Sequence, residues 1–235
     1  MPNWTQHHDA STATHHWYEC DDSGAVLRQA SFSTGTARTE PPPYLAEHAP
    51  REEPFAGSDG AAVTAADRSE LAWLREEFGP LCVEVYEATY GTPAGASPRP
   101  PHPDAPAPDG RPVTAAEFER AWRRARRDRD FATVTTGPLP VGLRLSGTVE
   151  LLPWGAGVTG LFVGLGLPVL GFVDMGHLPR EPGLWPSVGT VGEFEVVGVR
   201  LNCAAESRSQ PQVRLRPRPA AAPGPAAPSP RPGRP

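Results

Sequence analysis

The chain has 235 residues, 31 of them proline and 24 glycine, and a formal net charge of −5. That length allows one or two compact domains, and proline tracts that cannot pack reduce the foldable part to two small units. All 22 basic residues are arginine and isoleucine is absent, the coding bias expected of a GC-rich genome.

The charge is unevenly spread. Residues 1–110 hold 6 arginines against 17 acids, residues 111–136 hold 7 against 4, and residues 137–219 hold 7 against 6. A dedicated nucleic-acid module usually carries a stronger basic excess, so composition argues against tight RNA binding. Cys20, Cys82 and Cys203 are odd in number and far apart, with no CxxC pair. They suggest neither a zinc site nor a disulfide framework. No signal sequence opens the chain and no apolar run could span a bilayer, so a cytoplasmic, reduced protein is expected.

Residues 1–14 are polar and are expected to be disordered. His16–Cys20 and Ala25–Phe32 then read as two β-type runs around Asp21-Asp22-Ser23-Gly24, whose residues supply turn geometry: a hairpin. Thr64 and Asp67 resemble a capping box, followed by Leu71, Leu74 and Phe78 at helical spacing, and Gly79-Pro80 ends that helix. Leu81–Tyr86 reads as a strand, with Leu81, Val83 and Val85 on one face. The Gly-Pro break argues against helix continuation there. Together these elements predict a small α+β unit over residues 15–90.

Residues 91–112 form a Pro-rich linker. A basic helix over residues 113–131 follows, opened by a capping box of Thr114 and Glu117. Phe118, Ala121, Trp122 and Ala125 make its apolar stripe, ringed by Arg120, Arg123, Arg124, Arg126, Arg127 and Arg129. Closure against the acidic first half of its own chain, or plain solvation, explains this helix better than a grip on a nucleic-acid backbone. Residues 219–235 form a Pro/Ala/Arg tail expected to be disordered.

Residues 138–218 read as a small all-β barrel. Leu143–Leu152 gives a first strand that Gly147 can bend sharply, then Val158–Leu165, Val169–Asp174, Val191–Leu201 and Gln212–Arg216. Met175–Pro186 is an irregular connection between the third and fourth strands. Five strands in this order suit an OB-type barrel. The fold class expected is therefore α+β with an all-β part, the small unit first and the five-stranded barrel second.

Within Val141–Pro217 the motifs V-G-x-x-x-x-G-T-V, W-G…L-F-V-G-L-G, G-F-V-D-M, V-G-x-x-x-x-F-x-V and Q-V-R-L resemble an S1 RNA-binding domain. The resemblance covers a third of the chain. It implies a non-catalytic binder of single-stranded RNA or other nucleic acid, with Trp154, Phe162 and Phe172 as stacking aromatics, because every base has a π-face. It places the family's basic position at Arg214, and Arg200 joins it in neutralising phosphate. Three features depart from the pattern. Gly155–Gly160 is an insertion, Asp174 stands where the family has a phosphate-facing His, and the last strands lack the family's Asp-x-x-x-x-Arg spacing.

Each candidate also has a plain structural explanation. Aromatics in short barrels usually pack, and Arg200, Arg214, Arg216 and Arg218 could simply blunt a strand edge. His7, His8, His15 and His16 invite a metal reading but have no acid or Cys ligand close in sequence, so no metal is assigned. His177, in the irregular connection, could face a ligand, but a lone loop His is most often solvent-exposed. No nucleophile elbow, HExxH, Walker or Rossmann pattern occurs, so neither an enzyme nor a cofactor is expected. The alternative to RNA binding is a protein-interaction module of immunity or regulatory type that keeps the barrel without binding RNA, which the near-neutral barrel and Asp174 favour.

Overall fold

The computed structural model of the protein describes residues 2–36, 53–95, 110–201 and 210–218. Cys203, most of the Pro-rich linker and the tail 219–235 lie outside the described residues.

The first half is an antiparallel sheet backed by helices. Its strands are β1 (Asn3–Asp9), β2 (Thr14–Cys20), β3 (Val26–Ser33), β4 (Ala61–Asp67) and β5 (Arg111–Pro112), in the order β4-β3-β2-β1-β5. The expected hairpin is β2–β3, with Ser23 and Ala25 N–H groups bonded to the Asp21 carboxylate. Three expectations are corrected. Residues 3–9 are a strand rather than part of a disordered 1–14. Their polarity reflects a strand that is only half covered, and pairing with β2 along its whole length holds it. The end of the linker, Arg111 and Pro112, adds a short strand to the other edge of β1.

The third correction concerns residues 61–90. Thr64 lies inside β4, and Asp67 caps helix α1 (Arg68–Phe78), accepting from the Ser69 and Glu70 N–H groups at 2.7 and 3.3 Å. Alanine is a poor strand former, yet Ala61–Asp67 pairs with Arg28–Ser33, so tertiary pairing overrides propensity. Gly79, at φ 78°, breaks the chain direction, but Pro80 does not end helical structure there. It occupies the first turn of a new helix, α2 (Pro80–Tyr90), where its missing N–H costs nothing. Leu81–Tyr86 is therefore helical and not a strand.

Helix α3 (Ala115–Asp130) has the expected capping box, and its stripe Phe118, Ala121, Trp122 and Ala125 is buried across β1–β4. Burying each aromatic contributes about 1.5–3 kcal/mol. Several of its arginines have partners within the chain as well. Arg126 Nη1 donates to Glu70 Oε2 (2.8 Å) and to the Ala65 carbonyl (3.2 Å), and its guanidinium lies 4.0 Å from the Tyr90 ring centroid. Arg124 pairs with Asp128, Arg129 Nε donates to the Thr89 carbonyl, and Arg120 pairs with Glu53. The basic helix is held by its own chain.

The second half is a closed five-stranded barrel of β6 (Arg144–Leu151), β7 (Gly160–Gly164), β8 (Leu170–Asp174), β9 (Val191–Arg200) and β10 (Gln212–Pro217), in the cyclic order β10-β8-β7-β6-β9. All neighbours are antiparallel except β8 and β10. Val149, Leu161, Val163, Val173, Val196, Val213 and Leu215 fill the interior. Gly147 lets β6 pack closely on β7, since a Cβ there would lie 2.5 Å from the Val163 side chain, while the irregularity in β6 falls between Val149 and Leu151.

One contiguous apolar core runs through both halves. Polar ties join them too. Tyr90 donates to Asp130 (2.5 Å) and accepts from the Leu201 N–H (3.0 Å), and the Cys82 thiol donates to the Pro168 carbonyl (2.9 Å). Burial pushes the Cys82 pKa up to about 11 and the Tyr90 pKa well above the usual phenol range. Among the described residues no helix is long and apolar enough to cross a membrane.

Candidate nucleic-acid interface

Alternation along the barrel strands decides which side chains reach the outside. In β7, Leu161 and Val163 point inward, so Phe162 points outward. In β8, Val173 is interior, so Phe172 and Asp174 face out. In β10, Val213 and Leu215 are interior and Arg214 is outward.

Register then brings these residues together. Phe162 is directly opposite Phe172, with ring centroids 5.1 Å apart in an edge-to-face arrangement. Both rings are half-buried. Arg214 is the neighbour of Phe172 across the parallel β8–β10 pair, and its guanidinium carbon is 4.7 Å from that ring's centroid. Arg214 Nη1 also donates to Asp174 Oδ1 at 2.8 Å. Asp174 therefore does more than repel a phosphate, because it neutralises and orients the arginine expected to bind one. Gly160 makes room for this arrangement: a Cβ there would meet Phe172 Cζ at 2.8 Å and the Val173 carbonyl at 2.2 Å.

Arg200 ends β9 beside this surface, with its guanidinium 4.6 Å from the centroid of the Phe131 ring. Arg200, Arg214 and Asp174 line one polar cleft of about 250 Å³, walled on the far side by Asp130 and Phe131 at the end of α3, with Gly198 also lining it. His177 lines this cleft and so has a site-like place. Burial raises the Asp130 pKa, against the lowering effect of the Tyr90 hydrogen bond.

Four of the five candidate residues, Phe162, Phe172, Arg200 and Arg214, thus share one side of the barrel. Trp154 is 70% exposed in the β6–β7 loop, outside that group. The stretch Gly155–Gly160 that follows it has three glycines at positive φ, and Gly157 packs so near Pro182 that a Cβ would come within 2.8 Å. The arginine row divides. Arg216 and Arg218 both pair with Glu195, at 2.5 and 3.2 Å, which holds that carboxyl below its usual range. The strand-edge explanation fits these two.

Asp130, Phe131 and Gly198 were not singled out by sequence. The only available signal was that Arg200 and Arg214 lie on two strands of one barrel. What stands opposite them depends on where α3 ends, which strand patterns do not encode.

The histidines are cross-strand pairs, His7 opposite His16 and His8 opposite His15, the latter with rings stacked at 4.3 Å. Consecutive strand residues face opposite sides, so the two pairs cannot converge. Among the described residues no group of three or more His, Cys, Asp and Glu is placed to hold a metal.

No family model, no curated protein and no solved structure matches the chain.

Proposed function

We propose that the barrel is an S1-like OB fold that binds single-stranded nucleic acid, RNA in the first instance, without catalysis. The strand order supports the OB reading: the third and fifth barrel strands pair in parallel and the fourth closes on the first. The observation that carries the binding reading is the outward pair Phe162–Phe172 with Arg214 beside it, on the second and third strands that serve as the ligand face of such barrels. Two half-buried rings offer one or two bases a stacking surface.

Affinity is modest, because few cations serve the strand. With Arg200 and Arg214 as the two phosphate contacts, the slope of log K against log salt is about −1.4 for a single strand, so a rise from about 50 to 200 mM weakens binding about sevenfold. Fluorescence anisotropy of the full chain with labelled single-stranded U8 measures this. Phe162→Ala is expected to lower affinity by about 1–3 kcal/mol while circular dichroism stays unchanged. No binding to single strands at 50 mM salt overturns the proposal.

A protein partner is the second reading, and one observation favours it. Val191, mostly exposed, lines an apolar groove of about 480 Å³ together with Pro186 and Pro217. If U8 does not bind, that groove is the place to test next by substitution.

A further inference from the structure

We infer that the cleft between Arg200 and Arg214 is a base-reading pocket, and that the base it takes is guanine; this rests on the single-strand reading above. The inference starts from the cleft's charge. Arg200 and Arg214 face Asp174 and Asp130, and the wall is the C-terminal end of the 16-residue helix α3, whose dipole is negative there. Two cations, two carboxylates and a negative helix end give no net attraction for a phosphate inside the cleft, so the backbone phosphates meet the two arginines only at its open rim. The lining is also too polar for an apolar side chain, whose entry would leave buried charges without partners. A neutral, planar ring edged with both donors and acceptors meets neither objection.

Guanine fits this lining better than the other bases. Its N1–H and N2–H₂ are adjacent donors on one edge, matching a carboxylate that accepts through both oxygens, and its O6 and N7 are paired acceptors for a guanidinium. Adenine lacks the N1–H, cytosine offers a single donor group, and uracil a single N–H. Asp174, whose side chain is 47% exposed and pairs with Arg214 through Oδ1, is the acceptor, since an ionised carboxylate keeps further lone pairs for a ligand. Arg200, whose guanidinium lies 4.6 Å from the Phe131 ring centroid, is the donor. Gly198 also lines the cleft, and a Cβ there would meet nothing within 4 Å, so its missing side chain leaves that space open. Arg214 is common to the cleft and to the Phe172 stack, so a base in the cleft directly follows a base on the aromatic pair.

The test is an anisotropy titration of the full chain with labelled U8, with U octamers carrying one guanosine, and with the same octamers carrying inosine or adenosine instead. One guanosine is expected to tighten binding about tenfold, inosine to lose most of that gain with its 2-amino group, and adenosine to give none. Gly198→Val fills the cleft where there is room for a side chain, so the fold is kept. It should abolish the guanosine preference while the protein still binds U8. Equal affinity for all octamers overturns the inference and leaves the single-strand reading standing. A guanosine preference that survives Gly198→Val also overturns it, because the base then sits elsewhere. Failure of every octamer to bind removes both.

Discussion

Two arginines in this protein have the same kind of surroundings and different exposure. Arg126 lies over Tyr90 and pairs with Glu70, and both partners of that ion pair are largely buried between the sheet and the helices. Arg214 lies over Phe172 and pairs with Asp174, with the carboxylate half open to solvent on the barrel's outer face. Each site combines a cation, an aromatic ring and an acid at similar distances. In the first, the surroundings complete the contacts and the result is structure. In the second, one side is left to solvent, and a ligand can complete it. The two places share residue types and differ in burial.

The largest expected effect would break this comparison if it failed. Arg126→Ala leaves Glu70 buried without its cation and is expected to cost about 3–5 kcal/mol in urea denaturation. Arg214→Ala should cost less than about 1 kcal/mol, since its partner is half exposed, while lowering affinity for single-stranded U8. Equal stability losses would show that the barrel site is structural after all.

Tyr90→Phe removes the hydroxyl that bonds both Asp130 and the Leu201 N–H. An expected loss of about 1–3 kcal/mol, with one cooperative transition retained, would confirm that helices and barrel unfold together. Two separate transitions would show that the shared core does not couple them.

The pH dependence is a smaller effect and belongs to the sheet. Burial lowers the His15 and His16 pKa values, with His8 and His7 opposite them adding to the depression. The unfolded chain then binds protons that the fold does not, so this stability is present above about pH 6.5 and is lost as pH falls through the folded values. Thermal melts from pH 7.5 to 5 should show a falling midpoint, and His15→Gln with His16→Gln should flatten it. An unchanged slope would mean that the falling midpoint arises elsewhere.

Much of the barrel was legible in the sequence because each strand alternates and each break carries glycine or proline. Leu161, Phe162 and Val163 are all apolar and do not say which of them faces out, so the Phe162–Phe172–Arg214 cluster follows only once the strands close and pair. The α3 stripe and its capping box were equally plain, since both are local. The sequence did not show that Ala61–Asp67 is a strand or that Leu81–Tyr86 is helical. An alanine-rich run takes its structure from the β3 edge it completes, and a proline after a bent glycine can open a helix as readily as end one. Nor could it show that Asp130 and Phe131 face Arg200, a contact between residues 69 positions apart that exists only because the helix packs its end against the barrel. Local alternation and capping chemistry are properties of neighbouring residues, so the chain determines them by itself. Which acid meets which arginine, and how much water reaches the pair, is decided only when the elements pack.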